Sequence, residues 1–445
     1  MRQACACICG MMTSAFVCPH PMITINFFKI GVTDMRSKLL VLISVLALVL
    51  GTFSGALAQD APQVFCGDLA AEDCAILQES KAAMQEVAQY TATSSFDATL
   101  IGIPGLPADP TEVTVSVNGL FAMDESAMAA AQALSGLTQE ERLQLLQNSP
   151  QTTVELFAGW TFDVTMGVAM TPELAAAFSV QVGHELPDTL AIAARLVDGV
   201  LYWDVSEVAA IVPTVASGWV GFPLAELLLA LAEQGAFDQI TLLNDPATLA
   251  DAGSAGTLVA SLGAMQFVQG NPELFQPFLT IERGEDIDLA GQTGAAFVTS
   301  FDAVSFFGSP ELQEIIVALA QAGAFEGTGI AAADIEQNAQ MVSMMAPMLF
   351  DGITAVAQQT IGLDDLYQYN YMSELSWDLA GLIQMAAASG QLPAELQPTS
   401  EDVSVSLDTI ISNDNLATEQ SEAIEAPAGA AMIALEDLLS ASTAP

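Results

Sequence analysis

The sequence predicts an α+β chain in which long antiparallel strands dominate and helices arrive in blocks. Two observations carry this. Several segments alternate apolar and polar residues with period two, as in TEVTVSVNGLFAM (111–123), and are bounded by turn residues. Between them lie Ala- and Leu-rich runs with helical spacing, and no period of 20–50 residues recurs that would indicate a solenoid or propeller.

In chain order, residues 1–34 read as an upstream extension ahead of a start at Met35. Residues 35–58 read as a secretion signal: Arg36 and Lys38, the apolar run LLVLISVLALVL (39–50), and Ala56-Leu57-Ala58 as a cleavage site. The run is shorter than the roughly 20 residues of a comfortable membrane span, so no stable membrane insertion is expected after cleavage. Residues 59–445 then form one domain, in an oxidising location.

Cys66 and Cys74 are the two of six cysteines that fall outside the leader, and a disulfide is expected between them. A continuous helix would hold their Cα atoms about 12 Å apart, too far to bridge. Cys66 should therefore precede the helix, with Gly67-Asp68 turning the chain.

Helical spacing of Leu77, Met84, Val87 and Tyr90 predicts a helix over 69–90. Strands are predicted at 94–103 and 111–123, helix at 124–149 with a capping box at Thr138-Gln-Glu-Glu141, and strand at 152–170. A meander follows: 188–199, 200–206 and 219–224, with a turn at Asp198-Gly199. Helical insertions are predicted at about 225–277 and 310–359, around a hairpin spanning 279–289 and 291–307. Strands at 366–383 and 401–412 and a helix at about 428–440 complete the reading.

Removing residues 1–58 takes one of the 53 acidic and four of the eight basic residues, which leaves 4 minus 52, or −48. The anomaly is missing Lys and Arg, since average proteins carry roughly 25% charged residues of both signs and this one carries 14%. Binding to nucleic acid or to an anionic lipid surface by charge is excluded, because both need basic clusters. Apolar residues make up 52% of the sequence, and they must fill a core or line a cavity.

Chemistry is hard to place. His184 is the one histidine outside the leader, no G-x-S-x-G elbow occurs, and a surface turn suits it better than a triad. The acids Glu282, Glu285, Asp286 and Asp288, and the pair Asp364 and Asp365, sit at turns, where solvated carboxylates are expected. Glu285-Asp286-Ile287-Asp288 and Asn413-Asp414-Asn415 offer oxygen ligands of the kind calcium takes, but neither follows the twelve-residue loop pattern. No catalytic residue, cofactor or metal is assigned.

Methionines are more suggestive. Met341, Met344, Met345 and Met348 fall at i, i+3, i+4 and i+7, on one helical face. They suit ordinary packing or a pliable cavity wall. Pro347 should bend that helix near its end.

In LQESKAAMQEVAQYTATSSFDATLIG (77–102), in RLVDGVLYWDV with SGWVGFPL, and in VSLDTIISNDN with AIEAPAGA (423–430), the chain resembles the LolA/LppX-type family of secreted lipid and lipoprotein carriers. The resemblance implies a strongly curved antiparallel half-barrel, with helices packed on the concave face and an apolar cavity between. It is longer than a minimal carrier, by the helical blocks, and lacks a lipid-anchor Cys.

Trp203 is expected to face inward, because Asp204 should prefer water, and Phe162 likewise, because Asp163 alternates with it. With the four methionines these form the expected cavity lining. The function expected is a secreted, non-enzymatic binding protein for a lipid or other apolar ligand. The alternative is a cell-envelope structural or adhesion protein with a filled core, which the acidity and the want of a polar ligand anchor would suit.

Overall fold

The computed structural model describes residues 64–103, 106, 110–135, 149–182, 184–211, 217–233, 275–289, 291–310, 312, 343–348, 350–383 and 402–435. Among these, thirteen strands form one large, open, curved and mostly antiparallel sheet. The strands are β1 (Gln89–Ile101), β2 (Thr111–Met123), β3 (Trp160–Met170), β4 (Thr189–Val197), β5 (Val200–Asp204) and β6 (Trp219–Pro223). They continue with β7 (Leu279–Arg283), β8 (Ile287–Leu289), β9 (Gln292–Phe301), β10 (Ile353–Gly362), β11 (Gln368–Asp378), β12 (Ser404–Ala417) and β13 (Ala431–Met432). Their order is β13-β6-β5-β4-β3-β2-β1-β12-β11-β10-β9-β7, with β8 also on β9. Two meanders thus meet where β1 pairs β12, antiparallel, through Phe96 opposite Thr409.

The helices are α1 (Ala71–Met84), α2 (Glu125–Ser135), α3 (Pro150–Gly159), α4 (Pro172–Val182), α5 (Ser206–Ile211), α6 (Leu224–Glu233) and α7 (Ala303–Gly308). Residues 343–348 are also helical. Asp302 caps α7 by accepting from the Ser305 amide, and Asp124 caps α2 by accepting from the Ala127 amide, which satisfies orphan donors at each helix start.

The register sorts side chains by face. Directly opposed residues share a face, and Tyr90, Phe121, Phe162, Leu196, Leu201 and Phe222 form one unbroken row over six strands. The row beside it runs Ala92, Gly119, Val164, Ala194, Trp203 and Val220. A Cβ on Gly119 would stand 2.5 Å from Val164 Cγ1, so only glycine lets β2 and β3 close at that point. These rows are the apolar face, and helices reach it at three places. Leu224 of α6 joins the cluster of Phe121, Phe162 and Trp203. Leu77 of α1 joins Ile281, Ala295, Phe297 and Ile361. Ala346 and Phe350 meet Phe307 of α7, Ile353 and Trp377.

On β1 to β7 and β9 to β12, every carboxylate lies on the opposite, acidic face. Asp288 of the short β8 stands at the outer edge. Asp97, Asp408 and Glu374 are directly opposed on three neighbouring strands, an arrangement of like charges that costs stability. The Ser95 and Thr114 hydroxyls donate to Asp97 and offset part of that cost. The acidic face also carries the C-terminal segment. The Ser421 and Glu422 amides donate to Gln89 Oε1 on β1. Arg195 on β4 donates to the Glu425 carbonyl, and β13 then pairs in parallel with β6.

Several expectations are corrected. Residues 150–159 are helix α3 and not strand, with Pro150 in the first turn, where its missing N–H costs nothing. The predicted helix over 69–90 stops at Met84, and Tyr90 belongs to β1, stacked on Phe121 at 5.2 Å. The insertion predicted at about 310–359 includes most of β10, because Ile353–Gly362 is strand, held between β9 and β11. Residues 303–308 are helix rather than the end of a hairpin. Residues 431–432 are strand, where helix was expected. The capping box at 138–141, most of 225–277, and residues 313–342 lie outside the described residues.

Gly119→Ala should lower stability by about 1–3 kcal/mol through overpacking, seen as an earlier denaturant midpoint at unchanged slope. Asp408→Asn should raise stability by roughly 0.2–1 kcal/mol at low ionic strength. In about 1 M salt that gain should shrink, because screening already weakens the repulsion.

Candidate functional site

Cys66 and Cys74 are bonded, their Cα atoms 5.4 Å apart. Cys66 precedes α1 and Gly67 turns the chain at φ +47°, so the staple has the geometry expected for it. It holds the start of α1 near the sheet, where Asp73 pairs with Arg283 Nε at 3.4 Å.

Phe162 and Trp203 both lie on the apolar face, 3% and 9% exposed, in one packed cluster. Both therefore lie on the face away from Asp163 and Asp204, and the turn that presents Trp203 has Asp198 and Gly199 at φ 51° and 72°, as a tight hairpin requires. Tyr202 faces the other way, within reach of Gly221 and Met432. The methionines do not join Phe162 and Trp203. Met345 packs with Phe350 and Trp377 in the separate cluster beside α7. Met344 and Met348 are 78% and 52% exposed, and Met341 lies outside the described residues.

The side chains that the sequence left out of the lining sit between the helix-covered zones. Phe96 and Leu375 are on the apolar face yet 41% and 42% exposed. Phe96 opposes Val115 on one side and Thr409 on the other. Leu375 opposes Leu407, which opposes Ala98. Val113, Val115, Leu407 and Val405 around them are half-buried. The middle of the sheet thus presents a trough of apolar side chains still open to solvent. Alternation in 94–103, 111–123 and 401–412 was the available signal, but only the register shows that these three strands lie side by side.

His184 is exposed beside an open depression of about 650 Å³ between α4 and residues 184–188. None of the expected lining residues borders it. Among the described residues no cluster of three or more His, Cys, Asp or Glu side chains could hold a metal ion, and no helix is long and apolar enough to cross a membrane.

A polar knot closes the turn after β10. Tyr369 donates to Asp365 at 2.6 Å and Gln292 donates to both, at 2.8 Å and 2.9 Å. Burial works against the Asp365 charge, but the bonds from the Tyr369 hydroxyl, the Tyr367 amide and Gln292 hold its carboxyl below the ordinary range. Burial, then the adjoining Asp365 carboxylate, pushes the Tyr369 hydroxyl up to about 12. The arrangement is structural: it ties the 363–367 turn to the start of β9.

No family model matches the chain, and no curated protein matches it.

The sign of the pH effect follows from these shifts. The lowered Asp365 carboxyl stabilises the fold above about pH 3.9, and its contribution is lost as pH falls through the depressed folded value. The raised Tyr369 contribution is complete below about pH 10 and is lost as pH rises through about 12. Tyr369→Phe should weaken both limbs, read as a flatter dependence of the melting temperature on pH at each extreme.

Proposed function

We propose that the protein is an extracytoplasmic, non-enzymatic binding protein for a lipid or other apolar ligand. In this reading the sheet is a half-barrel similar to the LolA/LppX-type carriers, with the apolar face concave and the helices packed within it. The observation that carries it is the open centre of that face: Phe96 and Leu375 stay exposed while both flanks are sealed by helices. Single exposed apolar residues are common, but a contiguous apolar surface marks an interaction site. The stretch 35–58, read as a secretion signal, and the Cys66–Cys74 disulfide are consistent with an oxidising compartment.

An acyl chain laid along these rows would gain about 0.8 kcal/mol per buried CH₂. A dozen fully buried CH₂ groups would supply about 10 kcal/mol before the cost of association and of ordering the chain. The rival reading, an envelope structural protein with a filled core, draws on the close packing of Phe162 and Trp203. That packing occupies only the β2–β6 side, and the open rows lie over β1, β2, β11 and β12.

The test is uptake of a pyrene-labelled twelve-carbon chain, offered separately as acid and as methyl ester, and read by probe fluorescence. Wild-type protein should take up at least one form. Leu375→Glu, which puts a charge into the trough, should abolish uptake of either. Ile410→Glu should leave uptake of the ester unchanged, because Ile410 is 44% exposed on the acidic face opposite Met372. If wild type takes up neither form, the filled-core reading replaces this one.

A further inference from the structure

We infer that the ligand of the central trough is an uncharged lipid, with a hydroxyl, ester or amide as its polar group, and not a fatty-acid anion or an anionic phospholipid. The inference rests on the reading above that the trough takes up an apolar chain. It adds what that chain must carry at its head.

The first argument is the distribution of charge. The long strands hold no carboxylate on the apolar face, and Arg283 is the one cation there among the described strand residues. Arg283 stands at the β7 edge, already paired with Asp73 and Asp286 and set over the Phe297 ring at 5.2 Å. Arg195 lies on the acidic face, paired with Asp163 at 2.9 Å. An anionic head in the trough would therefore meet no counter-charge among the described strand residues, and whatever hydration it gave up there would go uncompensated.

The second argument is the field from behind. Asp97, Asp408 and Glu374 sit on the reverse of the same three strands that carry Phe96, Thr409 and Leu375. That is one sheet thickness away, within the roughly 8–10 Å over which salt screens charges. A second anion is repelled there, and a neutral molecule is not.

The third argument is the polar chemistry that the apolar face does possess. Thr409 and Ser373 continue the row of Phe96. Ser94 and Tyr371 oppose Ile411 in the next row, and Gln359 opposes Tyr371. All five are half-buried, and each is a neutral donor and acceptor. They form a hydroxyl- and amide-bearing patch at the trough's midline, with apolar rows towards Val113 and Leu407 beside it. An ester or hydroxyl head with an alkyl tail fits that division.

The experiment compares the pyrene-labelled acid and its methyl ester at about pH 8, where the acid is ionised. Wild-type protein should bind the ester about tenfold or more tightly than the acid. In about 1 M salt the gap should narrow, since the rear carboxylates are then screened. Thr409→Lys should raise affinity for the acid and close or reverse the preference for the ester, with an unchanged circular dichroism spectrum as the control for folding. Equal affinities, or tighter binding of the acid, in the wild type would overturn this inference while leaving the apolar-ligand reading intact. Binding of neither probe would overturn both.

Discussion

The structure depends on period-two alternation carried in register from strand to strand. Tyr90, Phe121, Phe162, Leu196, Leu201 and Phe222 stand in one row because each strand keeps its apolar residues on the same parity. A slip of one residue on β3 would put Asp163 into that row and Phe162 on the solvated face. The same constraint sorts the charges. With 53 acids against eight bases in the whole sequence, the sheet can be stable only if its carboxylates share a solvated face, and the register puts them there.

Scarcity of cations gives the few arginines structural weight. Arg283 joins α1, through Asp73, to the β7 edge and to Asp286 before β8. Arg195 joins β3, through Asp163, to the C-terminal segment, through the Glu425 carbonyl, and lies over the Trp219 ring at 5.2 Å. Each pair alone contributes little at a half-exposed site. Their value is positional: one sits near each end of the sheet, where an added element must be held against the outer strands.

Much of this was legible in the sequence. The limits of β2 were read correctly because TEVTVSVNGLFAM alternates without a break, and the β4–β5 hairpin because Asp198-Gly199 is a strong turn signal. The inward faces of Phe162 and Trp203 followed from the acids beside them. Where local signals conflicted with tertiary context, the reading failed. VELFAGW has the composition of a buried strand, yet residues 150–159 are helix, and Ser149-Pro150 was the overlooked start signal. ITAVAQQ (353–359) suits the end of a helical block because alanine and glutamine favour helix, but pairing on both sides makes it part of β10. Of the methionine stripe only Met345 packs inward, in the cluster of Phe350 and Trp377, while Met344 and Met348 are exposed. The exposed centre could not be seen, because it exists only once β12 lies between β1 and β11.

That last pairing has a kinetic consequence. β1 is the first long strand to leave the ribosome and β12 the last, and 332 residues separate Gln89 from its partner Ser421. The β1–β6 meander can assemble from neighbours in sequence, and so can the β7–β11 meander, but the seam between them is the least local strand pairing among the described residues. Closing so long a loop is slow. Until β12 arrives, β1 presents an unpaired edge flanked by apolar side chains, the kind of surface on which chains associate. The β1 edge is therefore covered only when a strand from near the other end of the described chain has reached it.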